Sequence, residues 1–111
     1  MQNKYSLQPI RITSNWTVVI NNFYEVDPSQ ETVEWFYGNP LLSCSNDYLG
    51  RSVEVIFEPT GDPNGDYVIQ LFSYTKKGKA VNYSEGTLVK EVLTKNRIEA
   101  VSVIETLMLE R

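Results

Sequence analysis

The sequence predicts an α+β domain of two layers, a mostly antiparallel β-sheet packed against one C-terminal amphipathic helix. The first sign is the stretch over residues 52–75, SVEVIFEPTGDPNGDYVIQLFSYT. Val53, Val55 and Phe57 alternate there with Ser52, Glu54 and Glu58, the two-residue period of a strand with one dry face, and only Ile56 breaks it. Pro59-Thr60-Gly61-Asp62-Pro63-Asn64-Gly65 then supplies turn residues, and a second apolar run from Tyr67 to Tyr74 completes a hairpin. The second sign is the C-terminal spacing of Ala100, Val101, Ile104, Leu107 and Met108, which forms one helical stripe, with Glu99, Ser102, Glu105, Thr106 and Glu110 largely opposite. Thr94 or Asn96 can cap that helix. A lone amphipathic helix must lay its stripe on something apolar, and a sheet face is the natural surface.

The remaining elements are read in chain order. Residues 8–13 look like a first strand, with Ile10 and Ile12 on one face and Pro9 holding its start to an edge. Ser14-Asn15 is a tight reversal. Residues 16–26, WTVVINNFYEV, form the longest β-like run. Trp16, Val18, Ile20, Tyr24 and Val26 alternate with Thr17, Val19, Asn21, Phe23 and Glu25, which predicts a central strand covered on both sides over part of its length. In residues 27–38, Asp27, Pro28 and Gln30 form a helix-start pattern, and Val33, Phe36 and Tyr37 fall at helical spacing before Gly38. The β-branched and aromatic content of residues 32–37 suits a strand as well. The reading taken is a short helix or irregular segment near residues 28–37.

Leu41 and Leu42 are expected in the core, and the polar residues 43–47 at an edge or in a loop. Lys76-Lys77-Gly78-Lys79 reads as a basic turn and residues 80–86 as an irregular connection. Residues 87–94, TLVKEVLT, read as another strand with Leu88 and Val92 opposed to Val89 and Leu93.

Length and composition bound the class. A chain of 111 residues has the size of a single domain, here taken as residues 1–111, and 41% hydrophobic with 22% charged residues is a globular composition rather than a disordered one. No apolar run approaches the roughly 18 residues that span a bilayer, and MQNKYSLQPIRIT has neither an apolar core nor a cleavage site of a signal peptide, so a cytoplasmic protein with no membrane contact is expected. The single cysteine, Cys44, has no disulfide partner within the chain, which fits a reducing compartment.

No enzyme is expected, nor any cofactor or metal. The chain contains no histidine, the commonest general base and metal ligand, and Cys44 therefore lacks the base that would activate it. A pair of carboxylates for glycoside hydrolysis leaves no local signature and stays open. Asp62-x-Asn64-x-Asp66 resembles the opening of a calcium loop. Its glycine falls at the fourth position, Pro63 stiffens the second, and Ser73 stands where a bidentate Glu is needed, so a turn is the better reading. No glycine loop for phosphate is present. Lys76, Lys77, Lys79, Lys90, Lys95 and Arg97 are read as solvated surface, and no nucleic-acid partner is expected.

Charge is the informative feature. The chain carries −4 overall, but residues 25–66 hold nine acids against the lone base Arg51, a local charge of −8, and the remainder carries +4. Such a middle repels phosphate backbones and attracts basic surfaces, although ordinary solubility would also use it. Tyr24, Trp35 and Tyr37 lie beside Glu25, Asp27, Glu31 and Glu34, an acidic belt with aromatic anchors. With Glu54 and Glu58 these nine residues are the candidate partner-binding set.

The strand ending NNFYEVDP, the pair Leu41-Leu42, the hairpin SVEVIFEPTGDPNGDYVIQL and the closing KNRIEAVSVIETL together resemble small bacterial immunity proteins of polymorphic toxin and contact-dependent growth inhibition systems. The resemblance implies a cytoplasmic inhibitor, without catalytic residues, that binds one cognate protein toxin, often a nuclease, and blocks its active site or substrate path. The partner would be a basic nuclease domain, and the chain itself a monomer or weak homodimer. Two other readings stay open at this point. One is a small-molecule-binding or enzyme-like domain with its site between the sheet and residues 27–38. The other is an adaptor that pairs an exposed strand edge with another protein.

Overall fold

In the computed structural model, which describes residues 4–110, five strands form one antiparallel meander in the order of the chain. They are β1 (Thr17–Asn21), β2 (Leu42–Asn46), β3 (Arg51–Glu58), β4 (Asp66–Lys77) and β5 (Ala80–Thr94). The helix α1 (Arg97–Leu109) follows, and a single 3-10 turn, Val33–Phe36, lies between β1 and β2. This is the α+β arrangement that the sequence predicts. No helix among the described residues is long and apolar enough to cross a membrane.

The hairpin of β3 and β4 is the spine of the sheet. Its register is unbroken from Arg51 opposite Ser73 to Glu58 opposite Asp66. The connecting loop is closed by its own turn chemistry. The Asp62 N–H donates to the Pro59 carbonyl at 3.2 Å, the Gly65 N–H to the Asp62 carbonyl at 3.0 Å, and Asp62 Oδ1 accepts from the Asn64 N–H at 2.8 Å. A Cβ at Gly65 would stand 2.7 Å from the Glu58 carbonyl oxygen, so only glycine lets the loop close against the strand.

Residues directly opposite in an antiparallel ladder share a face, which sorts the sheet into two surfaces. Leu42, Cys44, Val53, Val55, Phe57, Tyr67, Ile69 and Leu71 are all buried on one face. The helix contacts β3, β4 and β5 and contributes Ala100, Ile104, Leu107 and Met108 to the same core. Asn96 caps α1 by accepting from the Glu99 N–H at 2.9 Å, and the Trp16 indole N–H donates to the Met108 carbonyl at 2.9 Å, which ties the last turn of α1 to the start of β1. The N-terminal segment joins this side too, where the Arg11 N–H donates to Glu105 on α1 at 2.8 Å. Phe36 reaches the core from the 3-10 turn and packs on Phe57 and Tyr67, with ring centroids 4.9 and 5.9 Å apart.

Four expectations are corrected. Residues 8–13 form no strand. A single bridge, Leu7 with Tyr24, flanks them, because Pro9 has no N–H to continue a ladder and the chain is drawn toward α1 at Arg11. Residues 16–26 are not a central strand, since β1 stops at Asn21 and forms an edge of the sheet with mostly exposed side chains. A register shift between Val18 and Ile20 breaks the alternation, and Asn21 Oδ1 accepts from the Phe23 N–H at 3.1 Å, a turn that swings Phe23 into the core. Residues 43–47 are neither edge nor loop through Asn46. They build β2, an inner strand whose small Ser43, Cys44 and Ser45 fit between two neighbours. Residues 80–86 are not irregular. They pair with the far end of β4, and a register shift between Tyr74 and Thr75 leaves Tyr83, Ser84 and Glu85 as the extra residues that looked like a loop.

Within residues 27–38 the reading of a short helix or irregular segment holds, but the start is displaced. The turn begins at Val33, not at Pro28, and the Thr32 hydroxyl donates to the Asp27 carbonyl at 2.7 Å. At the basic turn, only Gly78 and Lys79 lie outside the strands, because Lys76 and Lys77 complete β4.

Candidate partner-binding surface

The two ends of β4 differ in charge, the start rich in carboxylates and the far end in lysines, with Asp47 alone of the acidic middle's carboxylates lying beside Lys76 and Lys79. At its start lie the β3–β4 loop, the beginning of α1 and the segment from Glu25 to Phe36, brought together by Phe36 on Phe57 and by a cleft lined by Asp27, Pro28, Asn64, Gly65, Lys95 and Arg97. Glu25, Asp27, Glu31, Glu34, Glu58, Asp62 and Asp66 therefore gather at one end of the molecule. Two bases among them are spent internally. Lys95 lies 3.4 Å from Asp66, and Arg97 Nε donates to Asp27 at 2.9 Å while also reaching Gln8. At the other end of β4 the hairpin tip presents Lys76, Lys77 and Lys79. Twelve strand residues at about 3.3 Å each separate the two ends by roughly 40 Å, several times the Debye length of about 8 Å at physiological salt. The potentials at the two ends are thus nearly independent.

The aromatic anchors do not behave alike. Trp35 is held edge-on between Tyr5 and Tyr24, at 5.2 and 5.1 Å, and packs partly against the core, so Trp35 and Tyr24 stiffen the belt from within. Tyr37, 56% exposed, is the one of the three free to meet a partner. Glu25, Glu31 and Glu34 are exposed, as is Glu58, which stands opposite Asp66 across the hairpin.

Glu54 lies elsewhere. It points from β3 to the face opposite the helix, in a cross-strand row formed by Ser43, Glu54, Gln70 and Glu91. Burial raises its carboxyl above the ordinary value, against a lowering contribution from the Ser43 hydroxyl, and Oε2 is buried with no hydrogen-bond partner. Gln70 Nε2 donates to Glu91 at 2.7 Å. The rows on either side are largely apolar: Ile56, Val68 and Leu93 on one, Phe72 and Leu88 with Ser52 on the other. Leu88 and Leu93 share this face, whereas the two-residue period put them on opposite faces. The register shift that skips Val89 reverses the alternation, and no local signal in the sequence marks it. Residues 87–94 alone therefore do not reveal that Leu88, Glu91 and Leu93 share one face.

Cys44 has no exposed surface, and burial, with Glu54 nearby, pushes its thiol up to about 12. Tyr67 is buried with an unpaired hydroxyl, and burial pushes its phenol upward. The space between the sheet and residues 27–38 is occupied by Phe36. The cleft that touches Asp27 and Pro28, about 250 Å³, opens instead onto the start of α1. Comparison of the chain with protein-family models, with curated proteins and with solved structures found no match.

Proposed function

We propose that this protein is an inhibitor of the immunity-protein kind, which binds one cationic toxin, a nuclease above all, and covers its active site or substrate path without performing a reaction itself. The observation that supports this reading is the segregation of charge: seven carboxylates gather at one end of the fold while Lys76, Lys77 and Lys79 stand at the far end of β4. A nuclease needs a positive cleft for its substrate, and an acidic inhibitor gains both association rate and selectivity by matching that field, with rate constants up to about 10⁸ M⁻¹s⁻¹ or more. The absence of histidine and the complete burial of Cys44 are consistent with a binding role.

The test is protection of growing cells. The protein is co-expressed with the product of its neighbouring gene, and the triple variant Glu31→Lys, Glu34→Lys and Glu58→Lys is compared with the wild type. Loss of protection with retained folding is expected. Undiminished protection would overturn the acidic mechanism. Asp27 is left in place, because its carboxylate holds Arg97 and reversal there would disturb the fold as well.

A second reading, the strand-edge adaptor, is favoured by the outer edge of β5, which no other strand pairs and whose residues are exposed along nearly its whole length. Two register shifts interrupt that edge, a device that discourages strand addition, so the inhibitor reading is preferred.

A further inference from the structure

We infer that the helix-free face of the sheet, centred on Glu54 and Glu91, is where a cationic side chain of the partner docks, with Ile56, Phe72, Leu88 and Leu93 as its apolar surround. This deepens the inhibitor reading and rests on it, since it names the contact face and the chemistry of the group received.

Three observations carry the inference. The helix, the N-terminal segment and the 3-10 turn all pack on the other face, and apolar side chains on this one remain open, with Ile20 39%, Leu88 46% and Leu93 54% exposed. These three leave apolar surface open on either side of and beside the charged row, as an interaction surface does. The charge in the central row is of one sign: Glu54 and Glu91 have Gln70 between them, and no lysine or arginine occupies that row or either row beside it. A cationic partner group is therefore the complementary one. Finally, Glu54 has already lost much of its hydration, with one oxygen lacking any partner. An arginine or lysine laid along this row would pair with the carboxylates in a site that is already partly dry, where such a pair is screened less than on the rim.

The arrangement has the form of an interface centre, a few anchored groups on rigid strands with apolar residues that exclude water around them. The acidic end then acts at longer range, drawing the partner in, and the sheet face makes the close contact.

The experiment is an NMR titration of the intact, isotope-labelled protein with a tetra-arginine peptide, following side-chain carboxyl and backbone resonances. The largest saturable shifts are expected at Glu54 and Glu91, with the amides of Gln70, Leu88 and Leu93 moving together. They should disappear in Glu54→Gln with Glu91→Gln and persist in Glu31→Lys. Shifts that are largest at Glu31, Glu34 and Glu58, or spread over all exposed carboxylates alike, would overturn the inference, as would no shift at Glu54. The two proposals fail separately. If the peptide selects Glu54 yet neither Glu54→Lys nor the triple reversal weakens protection, the docking face stands and the inhibitor reading falls. If protection depends on the belt while the peptide passes over Glu54, only the docking face falls.

Discussion

Tyr74 lies against Gly86, its direct partner across β4 and β5, so closely that a Cβ at position 86 would stand 2.5 Å from the ring. The Tyr74 hydroxyl reaches Ser52 at 2.7 Å, and Tyr83 meets the ring edge-on at 4.8 Å. This cluster fastens the projecting end of the β4–β5 hairpin, where β3 no longer runs alongside, to the body of the sheet. An alanine at 86 would have to push the ring aside. Gly86→Ala is expected to cost about 1–3 kcal/mol in urea denaturation. Combining it with Tyr74→Leu should cost less than the two single effects added, because the clash is then gone.

Trp16 performs the corresponding task at the other edge. Its ring is buried and its N–H satisfies a carbonyl in the last turn of α1. Trp16→Phe keeps most of the apolar contact but strands that carbonyl, so a loss of about 1–3 kcal/mol is expected by denaturant titration. A change below the error of the titration would mean that water serves the carbonyl equally well.

Glu54 links stability to pH. Burial disfavours its charged form, so the folded protein holds this proton to higher pH than the unfolded chain does. Its contribution is complete below the unfolded-state pKa and is lost as pH rises through the higher folded-state value. Glu54→Gln is expected to remove that decline and to leave the protein at least as stable as wild type at neutral pH. Thermal melts from acid to neutral pH measure it. A variant that is less stable at neutral pH would show that the carboxylate is held by partners rather than tolerated.

Cys44 should report on opening of the core. With the thiol buried and its pKa near 12, a thiol reagent at mildly alkaline pH is expected to label it only as fast as the fold opens, and mild denaturant should accelerate labelling. Rapid stoichiometric labelling of the native protein would contradict the packing around β2.

Much of this architecture is legible in the sequence where the determining contacts are local. Val53, Val55 and Phe57 alternate within one strand, and the turn residues that join it to the next are contiguous, so the hairpin is self-specifying. The stripe from Ala100 to Met108 identifies α1 for the same reason. What escapes is whatever depends on neighbours far along the chain. Ser43-Cys44-Ser45 looks like a loop because its strand character comes from lying between β1 and β3. Leu88 and Leu93 change their relation because Val89 is skipped, a matter of pairing with β4 that residues 87–94 do not encode alone. The acidic belt was readable as composition. Its convergence with Glu58 and Asp66 at one end came only with the packing of Phe36 on Phe57.

Recognition through negative potential is tested most directly by the association rate with the purified toxin, followed by stopped flow over a series of salt concentrations. Wild type is compared with the combined Glu31→Lys, Glu34→Lys and Glu58→Lys variant. The wild-type rate is expected to fall steeply with added salt, and the variant to associate at least about tenfold more slowly at low salt, with a smaller change in dissociation. Equal association rates with equal salt dependence would contradict it.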